Sequence, residues 1–330
     1  MTKKTIAVLG DGGWGTTIAL LLSSKGYDVT LWGAFPDYIA LLKKERVNSK
    51  FLPGIKIPAG IHLTSEVNDI PADAMAVIAV PSKYLRETMA KFKDKISGSV
   101  VSLTKGIEME TLKMPSEIIK SVLGVEDIAV LSGPSISFEV ARGLPTTVVA
   151  ASASKVLAGE VQRTFTVPHF RVYSSLDLIG VELGGALKNI IAIAAGISDG
   201  MGFGANTKAA LLTRGLVEII RLGVKMGARK ETFFGLSGIG DLATTCMSPH
   251  SRNRSLGEEI GKGKKLKEVL NNTEMIVEGI TTAKSAYALS RKVGVEMPIA
   301  EKIYKVLYED KEPREAVKEL MTRAPKPEAI

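Results

Sequence analysis

The chain has 330 residues, 45% of them hydrophobic and 24% charged, an average composition that excludes a disordered or a collagen-like protein. Its single cysteine excludes a disulfide framework and a multi-cysteine metal site, and its three scattered histidines argue against a histidine metal site. The net charge of +8 is compatible with an anionic partner, either a nucleic acid or a phosphorylated metabolite.

The first 180 residues alternate short apolar segments with helical patterns, such as those over Trp14–Lys25 and Ser82–Lys93. This alternation predicts an α/β domain with a parallel, doubly wound sheet over residues 1–180. The predicted strands, rich in Val and Ile, are Thr5–Leu9, Asp28–Trp32, Met75–Val80, Ser99–Leu103, Ile128–Leu131, Thr146–Ala150 and Phe170–Tyr173.

The periodicity becomes almost entirely helical after residue 178, which predicts an all-α domain over residues 181–330. The predicted helices are Leu178–Ser198, Asn206–Met226, Arg252–Gly261, Thr281–Val293, Ile299–Leu307 and a short one near Arg314–Leu320. The longest apolar stretch, residues 183–197, contains a lysine and is shorter than the about 20 residues of a membrane span. We therefore expect a buried helix and no membrane insertion. The N-terminal apolar run ends at once in a glycine loop, unlike a signal peptide, so we expect a cytoplasmic protein.

The sequence GDGGWG at residues 10–15 matches the pattern GxGxxG between a predicted strand and a predicted helix. In such a turn Gly10 permits the tight bend, Gly12 lets the backbone approach a pyrophosphate, and Gly15 lets helix and strand pack closely. The N–H groups at the start of the helix attract phosphate. The context predicts a Rossmann-like dinucleotide-binding turn rather than an ordinary glycine turn.

The sequence leaves the choice between NADH and NADPH open. The second predicted strand is followed by Gly33 and Ala34, which provide neither an acid for a ribose 2′-hydroxyl nor an arginine for a 2′-phosphate. The nearest acid, Asp37, is expected on the following helix.

Two lysines are candidates for the chemistry. Lys105 follows a predicted strand, where a side chain points into the ligand crevice or into solvent. Lys188 lies inside an apolar helix, with Gly184 and Gly185 on the same face. A desolvated ammonium has a lowered pKa and can act as a general acid or base. The alternatives are a lysine that extends to solvent and a structural ion pair.

Three further motifs predict polar contacts. The Gly133-Pro134 turn leaves backbone N–H groups near Ser135, and Asp241 follows a glycine-rich turn from which it could orient Lys188 or a substrate hydroxyl. Ser251, Arg252 and Asn253 open a predicted helix, an arrangement suited to phosphate. The alternatives are that Ser251 only caps the helix and that the arginines are surface charges.

Two other features are interpreted as non-functional. Cys246 has no nearby base in the sequence, and we expect it to be inert. The basic cluster at residues 262–267 contains no aromatic residue, so it indicates a solvated turn and not a nucleic-acid-binding stripe.

Taken together, these motifs resemble those of the bacterial NAD(P)-dependent glycerol-3-phosphate dehydrogenases, in order and over nearly the whole chain. The most specific are GGALKN and SRNR. The matching segments are GDGGWGT at 10–16, FLPG at 51–54, TKG at 104–106, SGPS at 132–135, ELGGALKN at 182–189, ISDGMGFGAN at 197–206, TRGL at 213–216, GIGDL at 238–242, SRNR at 251–254, VEG at 277–279 and VEMPI at 295–299.

This resemblance implies the reversible reduction of dihydroxyacetone phosphate to sn-glycerol 3-phosphate with NADPH or NADH, by a cytoplasmic homodimer that supplies phospholipid synthesis and needs no metal. It implies that Lys188 exchanges the proton with the C2 oxygen, assisted by Lys105 and Asp241. The substrate-binding residues it implies are Lys105, Gly133, Ser135, Lys188, Asp241, Ser251, Arg252 and Asn253. The cofactor-binding residues it implies are Gly10, Gly12, Gly13, Trp14, Gly15, Ala34, Lys105, Ser137, Arg252, Ile276 and Glu278.

The chain departs from the family pattern at two places. Many members have Ala-Gly-Ser where this chain has Asp11-Gly12-Gly13, and relatives often carry histidine or arginine where Ala34 stands. A related two-domain dehydrogenase for another phosphorylated substrate is the alternative enzyme, and a nucleotide-sensing or nucleic-acid-binding protein is the alternative from another class.

Overall fold

The computed structural model describes residues 4–271, 276–325 and 327–328. The chain forms two compact units: the first comprises residues 1–104 and 115–178, and the second comprises residues 105–114 and 179–330.

The first unit is built on one eight-stranded sheet with the order β3-β2-β1-β4-β5-β6-β7-β8. The strands are β1 (Thr5–Leu9), β2 (Asp28–Trp32), β3 (Ile61–Thr64), β4 (Met75–Ile78), β5 (Val100–Ser102), β6 (Ile128–Ser132), β7 (Thr146–Ala151) and β8 (Phe170–Ser175). The doubly wound prediction is confirmed. The strand order reverses between β1 and β4, and ligands of such sheets bind at the carboxyl end of this switch point.

One pair departs from the predicted parallel arrangement, because β7 runs antiparallel to β6. The connection between them contains only the five-residue helix Ser137–Ala141. β7 thus enters the sheet in the direction opposite to β6. β3 was not among the predicted strands.

Helices cover both faces of this sheet. They are α1 (Gly13–Ser24), α2 (Pro36–Glu45), α3 (Leu85–Lys91), α4 (Pro115–Leu123), α5 (Ser137–Ala141) and α6 (Lys155–Phe165). One apolar cluster includes Ile18 of α1 and Phe165 of α6, and a second includes Phe92 and Ile118 beside α3 and α4. The helix predicted from Ser82 begins only at Leu85, after a 3-10 turn over Ser82–Tyr84.

All regular elements described beyond residue 178 are helical, as predicted. They are α7 (Leu178–Gly200), α8 (Ala205–Lys225), α9 (Asp241–Met247), α10 (Arg252–Gly261), α11 (Leu266–Asn271), α12 (Glu278–Val293), α13 (Pro298–Tyr308) and α14 (Pro313–Met321). Among the described residues α7 is long and apolar enough to cross a bilayer, but 89% of the relevant stretch is buried in the protein. It is the central core helix of the second unit.

Glycines bring α7 and α10 into direct backbone contact. A Cβ on Gly196 would lie 1.9 Å from the carbonyl oxygen of Arg254, and one on Gly257 would lie 2.1 Å from that of Ile193. Neither distance leaves room for a side chain, so the helices meet at this separation only because both positions are glycine. The close crossing brings the start of α10 beside the middle of α7.

Candidate active site

The glycine-rich turn of the first unit has the geometry of a phosphate cradle. Gly10 has a φ of +118°, and a Cβ there would lie 2.7 Å from the Ala79 carbonyl oxygen. A Cβ on Gly15 would lie 1.8 Å from the Gly10 carbonyl oxygen, whereas one on Gly12 would meet nothing within 4 Å. α1 begins at Gly13 and no side chain caps its start. The turn therefore offers open space and a helix N-terminus, which fit a dinucleotide pyrophosphate.

The other cofactor candidates of the first unit lie around this turn. The Trp14 indole packs near Phe170, with ring centroids 6.4 Å apart. Ser137 begins α5, and its carbonyl accepts a hydrogen bond of 3.1 Å from Thr17 of α1. Ala34 is exposed after β2.

The turn after β6 holds the two substrate candidates of the first unit. Gly133 has a φ of +137°, a conformation that favours glycine. The Ser135 hydroxyl donates a 2.9 Å hydrogen bond to the Gly133 carbonyl, which closes the turn.

The second unit contains a buried cluster of two lysines and one carboxylate. Lys188 of α7 is 7% exposed and Asp241, the first residue of α9, is 1% exposed. The Lys188 ammonium donates to Oδ1 of Asp241, and the Lys105 ammonium donates to Oδ2 over 2.7 Å. One carboxylate thus holds both cations, and Lys188 does not extend to solvent.

Lys105 reaches this cluster from a segment of its own. It lies within the range predicted for the first domain, but residues 105–114 belong to the second compact unit. The segment is tied to α12 by the Ser285 hydroxyl, which donates to the Ile107 carbonyl over 2.9 Å.

A glycine contact positions Asp241 against α7. A Cβ on Gly184 would lie 2.3 Å from the carbonyl oxygen of Ser237, in the π-type turn Leu236–Gly240 that leads into α9. Gly184 therefore leaves room beside Lys188 for the backbone turn that carries the Asp241 carboxylate.

Thr245 is a site residue that the sequence analysis missed. Its hydroxyl accepts a 2.8 Å hydrogen bond from the Lys188 ammonium and donates one of 2.6 Å to the Asp241 carbonyl. It lies one helical turn after Asp241, and this i,i+4 spacing is the signal that could have identified it.

The electrostatic environment lowers the pKa of Lys188 to about 8. Burial is the largest cause, and the nearby Lys105 charge acts in the same direction, while Asp241 raises the pKa. An ammonium with such a pKa is well suited to exchange a proton near neutral pH.

The start of α10 is held by bonds within the second unit. The Ser251 hydroxyl accepts a hydrogen bond from the Arg254 N–H and caps the helix. The Asn253 side chain donates to Asn189 and accepts from the Gly279 N–H, both over 2.9 Å. These bonds join α10 to α12 and to α7, where the partner Asn189 directly follows Lys188.

The two arginines of this helix start have different environments. Arg252 is exposed, and its guanidinium donates a 2.8 Å hydrogen bond to the Ile276 carbonyl, two residues before Glu278. Arg254 is paired with Asp199 of α7 over 2.7 Å. Arg252 is therefore available at the surface, whereas Arg254 is part of the contact between α7 and α10.

Two other sequence features have no place in the chemistry. Burial raises the pKa of Cys246 to about 12, so its thiol is protonated at neutral pH. Lys262 and Lys264 pair with Glu258 and Glu259 on the surface. In the part of the chain that the structure describes, no cluster of three His, Cys, Asp or Glu side chains could hold a metal ion.

A doubly wound sheet with a glycine-rich turn, followed by a helical unit that contains a buried lysine–carboxylate cluster, defines the class of two-domain NAD(P)-dependent oxidoreductases. Comparison with known proteins identifies the family. The family model of the NAD-dependent glycerol-3-phosphate dehydrogenase N-terminus matches residues 5–158, and that of the C-terminus matches residues 177–318. The chain belongs to this family.

Individual relatives match over their whole length. The glycerol-3-phosphate dehydrogenase [NAD(P)+] of Citrifermentans bemidjiense is 50% identical, with 100% of both chains covered. The crystal structure of a glycerol-3-phosphate dehydrogenase from Coxiella burnetii has a TM-score of 0.94 at 38% identity, covering 97% of this chain and 99% of that one. A ketopantoate reductase from Ralstonia eutropha, at 13% identity and a TM-score of 0.61, shares the fold alone.

Proposed function

We propose that the protein catalyses the NAD(P)H-dependent, reversible reduction of dihydroxyacetone phosphate to sn-glycerol 3-phosphate. The observation that carries this proposal is the Lys188–Asp241–Lys105 cluster, which combines a proton donor of lowered pKa with a second positive charge. The family to which the chain belongs supports the choice of substrate.

Each residue of the cluster has a separate role at the substrate carbonyl. The bound nicotinamide supplies a hydride to the ketone carbon. Lys188, as an ammonium, hydrogen-bonds the C2 oxygen and gives it a proton, and in the reverse direction neutral Lys188 accepts that proton. Lys105 adds positive charge where the oxygen becomes negative. Asp241 and Thr245 hold the Lys188 ammonium in place.

Phosphate recognition is assigned to the start of α10. Arg252 offers an exposed guanidinium at a helix N-terminus, and both features attract a phosphate dianion. Ser251 and Asn253 complete this group. Gly133 and Ser135 are also proposed as substrate-binding residues. Binding the phosphate fixes the position of the carbonyl. The proposed cofactor-binding residues are Gly10, Gly12, Gly13, Trp14, Gly15, Ala34, Lys105, Ser137, Arg252, Ile276 and Glu278.

The proposal extends to the organisation and role of the protein. Residues 1–180 form the dinucleotide-binding domain and residues 181–330 the substrate-binding and catalytic domain, to which Lys105 contributes. The enzyme is a cytoplasmic homodimer, and its product supplies glycerophospholipid synthesis.

The test is the oxidation of NADH and NADPH, measured with and without dihydroxyacetone phosphate, for the wild type and for Lys188→Ala. The wild type oxidises the nucleotide only when the ketone is present, and Lys188→Ala loses at least about a hundredfold in kcat, the usual contribution of a positioned proton donor. The surface change Lys262→Ala serves as the control. Near-wild-type turnover of Lys188→Ala would refute the assignment of the proton donor, and preferential reduction of ketopantoate, or preferential oxidation of a 6-phospho sugar acid with NAD(P)+, would refute the substrate.

A further inference from the structure

The side chain of Asp11, in the glycine-rich turn, lies over the end of β2. A Cβ on Gly33, the residue after β2, would be 2.4 Å from Oδ2 of Asp11 and 2.6 Å from its Cγ. The turn is fixed to this strand because the Gly10 N–H donates a 2.9 Å hydrogen bond to the Trp32 carbonyl. The carboxylate therefore occupies the space beside Gly33 that a side chain at that position would fill.

This place has a known role in dinucleotide-binding sheets. Folds of this class that bind NAD carry an Asp or Glu at the end of the second strand, where it hydrogen-bonds the 2′-hydroxyl of the adenosine ribose. Here the strand is followed by Gly33 and Ala34 and provides no acid of its own. Asp11 brings a carboxylate to the same place from the neighbouring turn.

One oxygen of this carboxylate has an unmet hydrogen-bonding capacity. Oδ2 of Asp11 is buried and has no hydrogen-bond partner among the described residues, although the residue as a whole is only half-buried. Burial raises the pKa of Asp11, and its own backbone N–H opposes this effect only in part. Buried polar atoms without a partner are rare in proteins, and a hydrogen-bond donor placed beside Oδ2 would satisfy this one.

The nearest arginine in the sequence is not positioned to bind a 2′-phosphate. Arg46 is the arginine nearest to Ala34 in the sequence. Its guanidinium donates a 2.9 Å hydrogen bond to the carbonyl of Ile61, the first residue of β3. The first residue of a parallel strand lies at the amino edge of the sheet, opposite the edge at which dinucleotides bind.

We propose that Asp11 is the residue that selects the cofactor: it accepts a hydrogen bond from the adenosine 2′-hydroxyl of NADH and repels the 2′-phosphate of NADPH. This inference rests on the proposed function only in requiring that the chain binds a nicotinamide dinucleotide. Two like charges brought together cost enough to change affinity by at least about tenfold.

The experiment is calorimetric titration of the wild type, Asp11→Asn and Asp37→Asn with NADH and NADPH, without substrate. Asp37→Asn is the matched control, because it removes the same charge from an exposed position on α2. We expect the wild type to bind NADH at least about tenfold more tightly than NADPH. Asp11→Asn abolishes this ratio, mainly by binding NADPH more tightly, and Asp37→Asn retains it.

The inference is overturned if the wild type binds NADPH as tightly as NADH, or if Asp11→Asn retains the wild-type ratio. If Asp11→Asn does not fold, Asp11→Ser replaces it, and its ratio of NADH to NADPH affinity is compared with that of the wild type in the same way. Turnover of dihydroxyacetone phosphate by the same wild-type preparation tests the proposed function separately. An active enzyme that prefers NADPH refutes only the role of Asp11, whereas selective NADH binding without turnover refutes only the proposed reaction.

Discussion

Replacing Asp241 by Asn tests whether this carboxylate keeps Lys188 protonated at neutral pH. The change preserves the size of the side chain but removes the charge that faces the two ammonium groups. Opposite charges about 4 Å apart attract by about 4 kcal/mol at an effective dielectric constant of about 20. Loss of that attraction weakens proton binding by Lys188 about a thousandfold. The neighbouring Lys105 charge acts in the same direction.

The magnitude follows from the pKa of Lys188, which is about 8 in the wild type. At pH 7 the wild-type lysine is mostly protonated, whereas in Asp241→Asn only about one molecule in a hundred retains the proton. We therefore expect kcat/KM for ketone reduction to fall about a hundredfold at pH 7 and to recover as the pH is lowered. In the wild type, reduction decreases and the reverse oxidation increases as the pH rises through about 8.

The assay is the pH dependence of kcat/KM in both directions, with folding monitored by circular dichroism at each pH. Asp199→Asn is the matched control: it breaks a partly buried carboxylate–cation pair with Arg254 in the same unit. The reasoning is refuted if the pH profile of Asp241→Asn keeps the shape of the wild-type profile, or if Asp199→Asn shifts it equally.

Two further predictions concern stability. Gly257→Ala would place a Cβ 2.1 Å from the Ile193 carbonyl, so we expect the free energy of unfolding in urea to fall by about 1–3 kcal/mol. Gly60→Ala, whose Cβ meets nothing within 4 Å, should have a much smaller effect. Burial raises the pKa of Glu218 to about 7, although it accepts hydrogen bonds from two N–H groups at the start of α13. Its stabilising contribution is full below about pH 4.5 and is lost by about pH 7, roughly 3 kcal/mol in all. Urea unfolding across this range should therefore be less pH-dependent in Glu218→Gln, and an unchanged slope would contradict this.

The local elements were largely predictable, because their causes lie in neighbouring residues. Apolar runs placed seven of the eight strands, and helical periodicity found α7, α8, α10, α12, α13 and α14. β3 was missed because an exposed histidine, His62, interrupts its apolar run. The reversed direction of β7 was also missed, because no residue pattern within a strand records the direction in which it pairs with its neighbour.

By itself, the sequence determined the glycine-rich turn, the two-part organisation and the lysine within an apolar helix, since each is a pattern over a short stretch of chain. Only the tertiary structure decided which groups meet. It joined Lys105, Lys188 and Asp241, which are far apart in the sequence, and added Thr245. It also placed the Asp11 carboxylate over Gly33, a contact between two loops. Such contacts depend on how whole helices and strands pack. At Gly184 and Gly257, for example, the backbone touches the backbone of another element, and the residues around each glycine do not indicate which element that is.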